Sequence, residues 1–215
     1  MKTILLFSGG LDSTTLLYKL KDEHEVICLC VDYGQRHRRE LLAAKAIAKE
    51  VGVKCHKVRL PEIWRDCSLV GGKPLPDGDQ PGNIVPNRNM VMLSIATTYA
   101  IEQGAEAVAW GPNRDDWGTF PDCGEQFAES MRDAMMLCHT RPIALLTPLI
   151  NLTKAEVVAL AIDELGVPTG ATWSCYEGGR EPCRKCGACI SRIEAFRLHF
   201  KSKDQKRIDA SENSG

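Results

Sequence analysis

The apolar run Ile4-Leu5-Leu6-Phe7 breaks off at Ser8-Gly9-Gly10, and Leu11, Leu16 and Leu17 then resume at helical spacing. The pattern predicts a strand over 2–7, a tight glycine corner and a helix over 13–21. Two glycines let the backbone turn sharply and approach a ligand closely, while the hydroxyls of Ser8, Ser13, Thr14 and Thr15 stand beside the free amides that open the helix. A corner of this kind is a seat for an anion.

The rest of the chain repeats the alternation. Strand-length apolar segments at 25–31 and 54–59 flank a helical period over 39–51, a β-α-β-α-β order that means parallel strands with ligands expected at their carboxyl ends. Residues 60–87 are rich in proline and glycine, have little periodicity and are too long for an ordinary connection, so a functional loop or lid is expected there. Helices follow over 88–103, 124–139 and 153–165, with a strand near 105–110 and a short apolar piece between Pro142 and Pro148. Thr153-x-x-Glu156 has the form of a capping box. Ile190–Phe200 shows helical spacing and is expected to dock on the body, whereas the polar stretch 201–215 is expected to form a disordered tail.

At 215 residues the chain suits one domain, residues 1–200, with appendages. Met1-Lys2-Thr3 leads straight into strand-like sequence with no export signal, and no apolar run approaches the roughly 18 residues of a membrane span, so a cytoplasmic protein is expected. Against 28 acidic residues stand 27 basic ones, a balance that favours a small-molecule substrate over a nucleic acid. A homodimer is the candidate assembly.

Ten cysteines in such a chain are expected to stay thiols or to bind metal. Cys28, Cys30, Cys55, Cys67 and Cys138 are scattered and read as small buried hydrophobes. By contrast, Cys183-x-x-Cys186-x-x-Cys189 with Cys175 upstream offers four thiolates, the ligand set of a closed structural Zn²⁺ site. An iron–sulfur cluster is the competing use of the same ligands.

The loop chemistry narrows the anion. A Walker loop would place a lysine on the terminal phosphates, but this loop has no lysine and carries Asp12. Its S-G-G-x-D-S pattern, Ser8 to Ser13, resembles the PP-loop of ATP pyrophosphatases, which split ATP between the α- and β-phosphates and place AMP on a substrate oxygen. The resemblance implies an adenine nucleotide α-hydrolase-like α/β domain with a small C-terminal zinc-binding helical segment. It further implies ATP held by Phe7, Ser8, Gly9, Gly10, Leu11, Asp12, Ser13, Thr14, Thr15, Leu16 and Leu17, with Asp12 and Ser13 catalytic and Asp12 helping to position Mg²⁺.

Further motifs fall in order behind the loop: Val31-Asp32-Tyr33-Gly34-Gln35-Arg36-His37, Val85-Pro86-Asn87-Arg88-Asn89, Leu146-Thr147-Pro148-Leu149 and Thr172-Trp173-Ser174-Cys175-Tyr176. Together with the cysteine triplet they resemble the 7-cyano-7-deazaguanine synthase family across roughly residues 2–200. That resemblance implies ATP-dependent conversion of 7-carboxy-7-deazaguanine and ammonia to the nitrile preQ0. Arg88 is the candidate cation for developing phosphate charge. Asp32 and Gln35 are placed to reach adenosine or the activated carboxylate, with a helix-start turn as the alternative, and His37 is a neighbour able to transfer a proton. Asn113, Asp116, Asp122 and Tyr176 are candidates for the base, by accepting its N–H groups or stacking on it.

One segment departs from the family. Where the usual pattern reads G-Y-P-D-C-R, this chain has Gly118-Thr119-Phe120-Pro121-Asp122-Cys123-Gly124, with a residue inserted, phenylalanine for tyrosine and no arginine. The readings that compete are a tRNA thiolase of the PP-loop type, a relative that attaches the activated deazaguanine to a macromolecule, and a noncatalytic nucleotide-binding module bearing zinc.

Overall fold

In the computed structural model, residues 1–71, 73–75, 77 and 84–212 are described. Five strands, β1 (Lys2–Leu6), β2 (Glu25–Asp32), β3 (Lys54–Arg59), β4 (Ala107–Ala109) and β5 (Ala144–Leu146), form one sheet in the order β3-β2-β1-β4-β5. Every pairing is parallel. The chain winds outward from β1 through β2 to β3 and returns to place β4 on the other side of β1. A topological switch therefore lies between β1 and β4, and the crevice beyond the strand ends there is where a doubly wound sheet receives its ligand.

Helices α1 (Leu11–Leu20), α2 (Arg39–Val51), α3 (Arg88–Glu102), α4 (Glu125–Leu137) and α5 (Lys154–Ala159) cover the sheet. Alternation along the strands divides them between its two faces. Ile4, Ile27, Leu29 and Val108 pack with Leu93 and Ala96 of α3 and Met131 and Met135 of α4. Leu5, Val26, Cys28 and Ala109 pack with Leu16 and Leu17 of α1, Ile47 and Ala48 of α2 and Val157 of α5. The sheet is thus buried on both faces, which explains why β1 and β2 read as nearly continuous apolar runs.

The connection over 60–87 is described only in part. Residues 72, 76 and 78–83 of the expected lid lie outside the described residues. Its two ends are anchored: Cys67, Leu69 and Val85 form a small core with Tyr33, and the Trp64 indole donates to the Pro86 carbonyl at 2.7 Å.

Two expectations are corrected. The tail expected to lack order from Lys201 instead continues α6, which spans Gly187–Glu212. Once the first turns are docked, each added residue completes another backbone hydrogen bond at little further cost, and Lys, Gln and Arg are good helix formers. Lys203 pairs with Asp163 on the segment α6 packs against. Cys138, read as a buried hydrophobe, is exposed, because it caps the end of α4 rather than facing its core.

Candidate active site

Beyond β1 the loop is shaped by one glycine. Gly9 has φ +78°, and a Cβ there would lie 2.5 Å from the Ala44 nitrogen and 2.7 Å from the Glu40 carbonyl of α2. The loop backbone is thus pressed onto α2. On its other side the Trp173 amide donates to the Gly9 carbonyl at 3.0 Å. Extended Gly10 opens α1 without a side-chain cap. Amides of the first turn are therefore left for an incoming anion. The Ser8 and Ser13 hydroxyls lie 3.1 Å apart at this mouth.

A cleft of about 280 Å³ opens here, lined by the loop, by Gly111 beyond β4 and by Lys154, Arg88 and Trp173. Lys154, the first residue of α5, forms an ion pair with Asp12, and both side chains are largely buried. Burial works against the Lys154 charge, but Asp12 and Asp116 outweigh it and raise its pKa. Burial pushes the Asp116 carboxyl up to about 6, with nearby Asp12 adding to the shift and Lys154 opposing it. The second Asp12 oxygen, Oδ1, is buried without a hydrogen-bond partner. Two carboxylates, one of them with an orphaned oxygen, beside the uncapped start of α1 fit the hard-oxygen preference of Mg²⁺.

Sequence reading gave Thr153-x-x-Glu156 a structural role and passed over Lys154. The capping box is present, and the missed signal lies inside it. A lysine in the first turn opposes the helix dipole, an unfavourable placement that calls for an anionic partner.

Arg88 opens α3 on the far wall, its guanidinium 3.4 Å from the Tyr33 hydroxyl. No carboxylate lies within ion-pair distance of it among the described residues, so its charge is left facing the cleft. Phe7, Ser8, Gly10, Leu11, Asp12, Ser13, Asp116 and Tyr176 also line the space. Thr14, Thr15, Leu16 and Leu17 are instead buried within α1, Thr15 bonding back to the Leu11 carbonyl at 2.8 Å.

Several of the remaining candidates sit behind the wall. Asp32 accepts from the Gly34 amide at 3.3 Å and faces Lys57. Gln35 accepts from the Tyr33 amide and donates to Glu40, both at 2.9 Å. Asn113 donates to the Asp116 carboxylate at 2.7 Å, orienting it toward the cleft. Asp122 accepts from the Asn89 amide at 3.2 Å and so satisfies the start of α3. From the divergent segment, Phe120 and Cys123 reach the cleft.

Cys175, Cys183, Cys186 and Cys189 converge with their sulfurs all within 4.8 Å of one another. A tetrahedral four-thiolate site needs sulfurs roughly 3.8 Å apart, from metal–sulfur bonds of about 2.3 Å. The local backbone is compatible with such a site: Arg184 takes a left-handed φ of 63°, and the amides of Cys183 and Cys186 each donate to a cluster sulfur at 3.3 Å. Burial raises the Cys183 thiol, but the amides of Lys185 and Cys186 outweigh it and bring it to about 7. These four residues can hold a metal ion. Trp173, Ser174 and Tyr176 beside them line the cleft, which joins the cluster to the Gly9-Gly10 loop.

Comparison with known proteins agrees with this geometry. The family model described as "Queuosine biosynthesis protein QueC" matches residues 2–199. A 7-cyano-7-deazaguanine synthase of Archaeoglobus fulgidus is 41% identical over 206 residues, covering 91% of this chain and 86% of the relative. One from Methanoregula boonei is 38% identical over 207 residues, covering 92% and 94%. Among solved structures, the U34-tRNA thiolase NcsA of Methanococcus maripaludis, with its [4Fe-4S] cluster, is similar in fold at a TM-score of 0.52 and 19% identity, over 95% of this chain and 67% of its own. An NMN synthetase of Francisella tularensis reaches a TM-score of 0.50 at 18% identity, over 79% and 63%. No helix among the described residues is long and apolar enough to cross a membrane. With the family model spanning residues 2–199 and relatives matching at 41% and 38% identity, this protein belongs to the QueC family of queuosine biosynthesis proteins.

Proposed function

We propose that this chain is an ATP-dependent carbon–nitrogen ligase that converts 7-carboxy-7-deazaguanine and ammonia to 7-cyano-7-deazaguanine, preQ0. Membership of a family whose relatives bear that name supports the substrate. The observation that carries the reaction type is the uncapped start of α1 beside Asp12, Lys154 and Asp116.

A carboxylate on an electron-rich pyrrole is a poor electrophile, and its oxygen departs only after activation. The α1 amides and Lys154 take the β- and γ-phosphates of ATP, so that the substrate carboxylate attacks the α-phosphate and pyrophosphate leaves. Asp12 and Asp116 are the residues that would hold Mg²⁺, which when bound neutralises charge on the departing pyrophosphate. Arg88 meets charge from the opposite wall, where a fixed cation in a dry site acts most strongly. Ammonia then displaces AMP to give the amide, and adenylation of the amide oxygen in the same cleft allows elimination to the nitrile. Tyr176 supplies a ring on which the flat base stacks.

The four cysteines are assigned to Zn²⁺. With four protein ligands no position stays open for water, so the metal holds Trp173–Tyr176 against the loop and does no chemistry. Turnover of the carboxylate with ATP, Mg²⁺ and ammonia, followed by mass spectrometry, tests the reading. AMP, pyrophosphate and the nitrile are expected from the intact protein and none of them from Asp12→Ala, which should keep its zinc. ATP bound without any of these products would favour a noncatalytic module.

A further inference from the structure

We infer that His37 is the base that takes protons from the attacking nitrogen, with Glu40 and Gln35 as its positioning residues. This deepens the reaction proposed above and rests on that reading.

The geometry begins where β2 ends. After Asp32 the chain turns at Gly34 (φ +85°), and Gln35, 1% exposed, is fixed on three sides. It accepts from the Tyr33 amide at 2.9 Å and donates to the Val31 carbonyl at 3.2 Å and to Glu40 Oε1 at 2.9 Å. The other Glu40 oxygen lies 3.4 Å from His37 Nε2. A proton on Nε2 therefore faces the carboxylate, and the lone pair is left on Nδ1.

That Nδ1 atom is buried without a hydrogen-bond partner. Leaving a buried polar atom unsatisfied is costly, and the cost is offset where the missing partner arrives with the substrate. Both His37 and Glu40 line the cleft. Their turn touches the nucleotide loop at Gly9 and the Tyr176 segment at Gly178, where an added Cβ would lie 2.9 Å from the His37 Cα.

Charged and titratable groups surround the ring on every side. Glu40 and Arg36 share its turn, Arg88 comes from α3, Tyr33 from the end of β2, and Tyr176 from the C-terminal segment with its ring 5.7 Å away. Glu177 is occupied by Arg36 at 3.9 Å. Burial first, and then the two arginines, lower the His37 pKa against the opposing pull of Glu40. The resting imidazole is accordingly held in its neutral form, with the Nδ1 lone pair available.

The steps balance. As the nitrogen of ammonia bonds to the carbonyl carbon of the adenylate, the carbon–oxygen bond to AMP breaks, AMP leaves with the electron pair and a nitrogen proton passes to Nδ1. In the second half the amide oxygen displaces pyrophosphate from another ATP. Nδ1 returns each proton to solvent before taking the next, so it accepts both remaining nitrogen protons in turn, the first from the O-adenylated amide and the second as AMP leaves with the electron pair and the carbon–nitrogen triple bond forms.

The test separates adenylation from nitrogen transfer. Carboxylate-dependent exchange of labelled pyrophosphate into ATP reads the first, and single-turnover formation of amide and nitrile reads the second. His37→Asn should keep exchange within about threefold of wild type while nitrile formation slows by roughly 10²–10⁴. Its residual rate should rise with pH, as free ammonia becomes abundant, more steeply than that of the intact protein. Glu40→Gln, which preserves shape, should slow nitrile formation and move the acid limb to lower pH, since the carboxylate that raises the imidazole pKa is gone. Wild-type nitrile rates in both variants, or exchange and nitrile formation falling together in both, would overturn the assignment. Failure of the intact protein to exchange pyrophosphate in the presence of the carboxylate would overturn the reaction and this inference together.

Discussion

Lys154 and Asp12 are 142 positions apart in the chain, yet the ammonium of one rests on the carboxylate of the other at the mouth of the Gly9-Gly10 loop. Both side chains are largely buried, and removing Lys154 takes from Asp12 its ion-pair partner. When ATP and Mg²⁺ occupy the site the pair is expected to part, the carboxylate turning to the metal and the ammonium to phosphate.

Lys154→Ala should therefore lower carboxylate-dependent pyrophosphate exchange by about 10²–10³, the usual effect of removing one fixed donor from a site of developing charge. Exchange at the wild-type rate would show that the lysine serves only to neutralise Asp12.

Gly9 and Gly34 both have positive φ, but only Gly9 is crowded. Gly9→Ala must strain the backbone and also push α2 away, so it should cost more than the roughly 1 kcal/mol expected of Gly34→Ala, which meets nothing within 4 Å. Thermal denaturation of the two variants gives the comparison. Nucleotide binding should be lost in the first and kept in the second.

Asp116 should give the free protein an acid limb. With its carboxyl raised to about 6, the neutral form predominates below that pH, and kcat/KM for MgATP should fall there with the slope of one proton. A raised carboxyl pKa favours folding fully only below the unfolded value of about 3.9, and the advantage is lost as pH rises through 6. Asp116→Asn should accordingly lose the acid limb and melt higher at pH 7, by an amount equivalent to roughly 1–3 kcal/mol. Melting curves at pH 4 and pH 7 check the sign, since the gain should appear only at pH 7.

Cys183→Ser should release the metal and lower the melting temperature, because binding at a structural zinc site is itself folding free energy, about 10–16 kcal/mol in small zinc peptides. Nucleotide affinity should fall in parallel, since the Trp173 amide that braces Gly9 lies two residues from Cys175. Elemental analysis and nucleotide titration of the variant test the connection.

Local chemistry made much of this legible. The β1–Gly-Gly–α1 corner, α2 at 39–51 and the cysteine knuckle depend on neighbours close in sequence, so apolar period, glycine and ligand spacing marked them. What stayed hidden depends on tertiary contact. Nothing near Lys154 in the chain shows that Asp12 will stand over it. Asp32 and Gln35 have the right chemistry at the right strand end, yet their side chains are consumed by the turn that presents His37 and Glu40. The helix beyond Phe200 could not be read from apolar spacing, because polar helix formers extend a docked helix without any buried stripe.

Transfer of AMP to the substrate oxygen is the claim on which the rest depends, and isotopic labelling tests it most directly. With ¹⁸O in the carboxylate of 7-carboxy-7-deazaguanine, mass spectrometry of the products should find the label in the phosphate of AMP, one atom for each activation, and none in pyrophosphate. Label in inorganic phosphate, with ADP as the nucleotide product, would contradict the account.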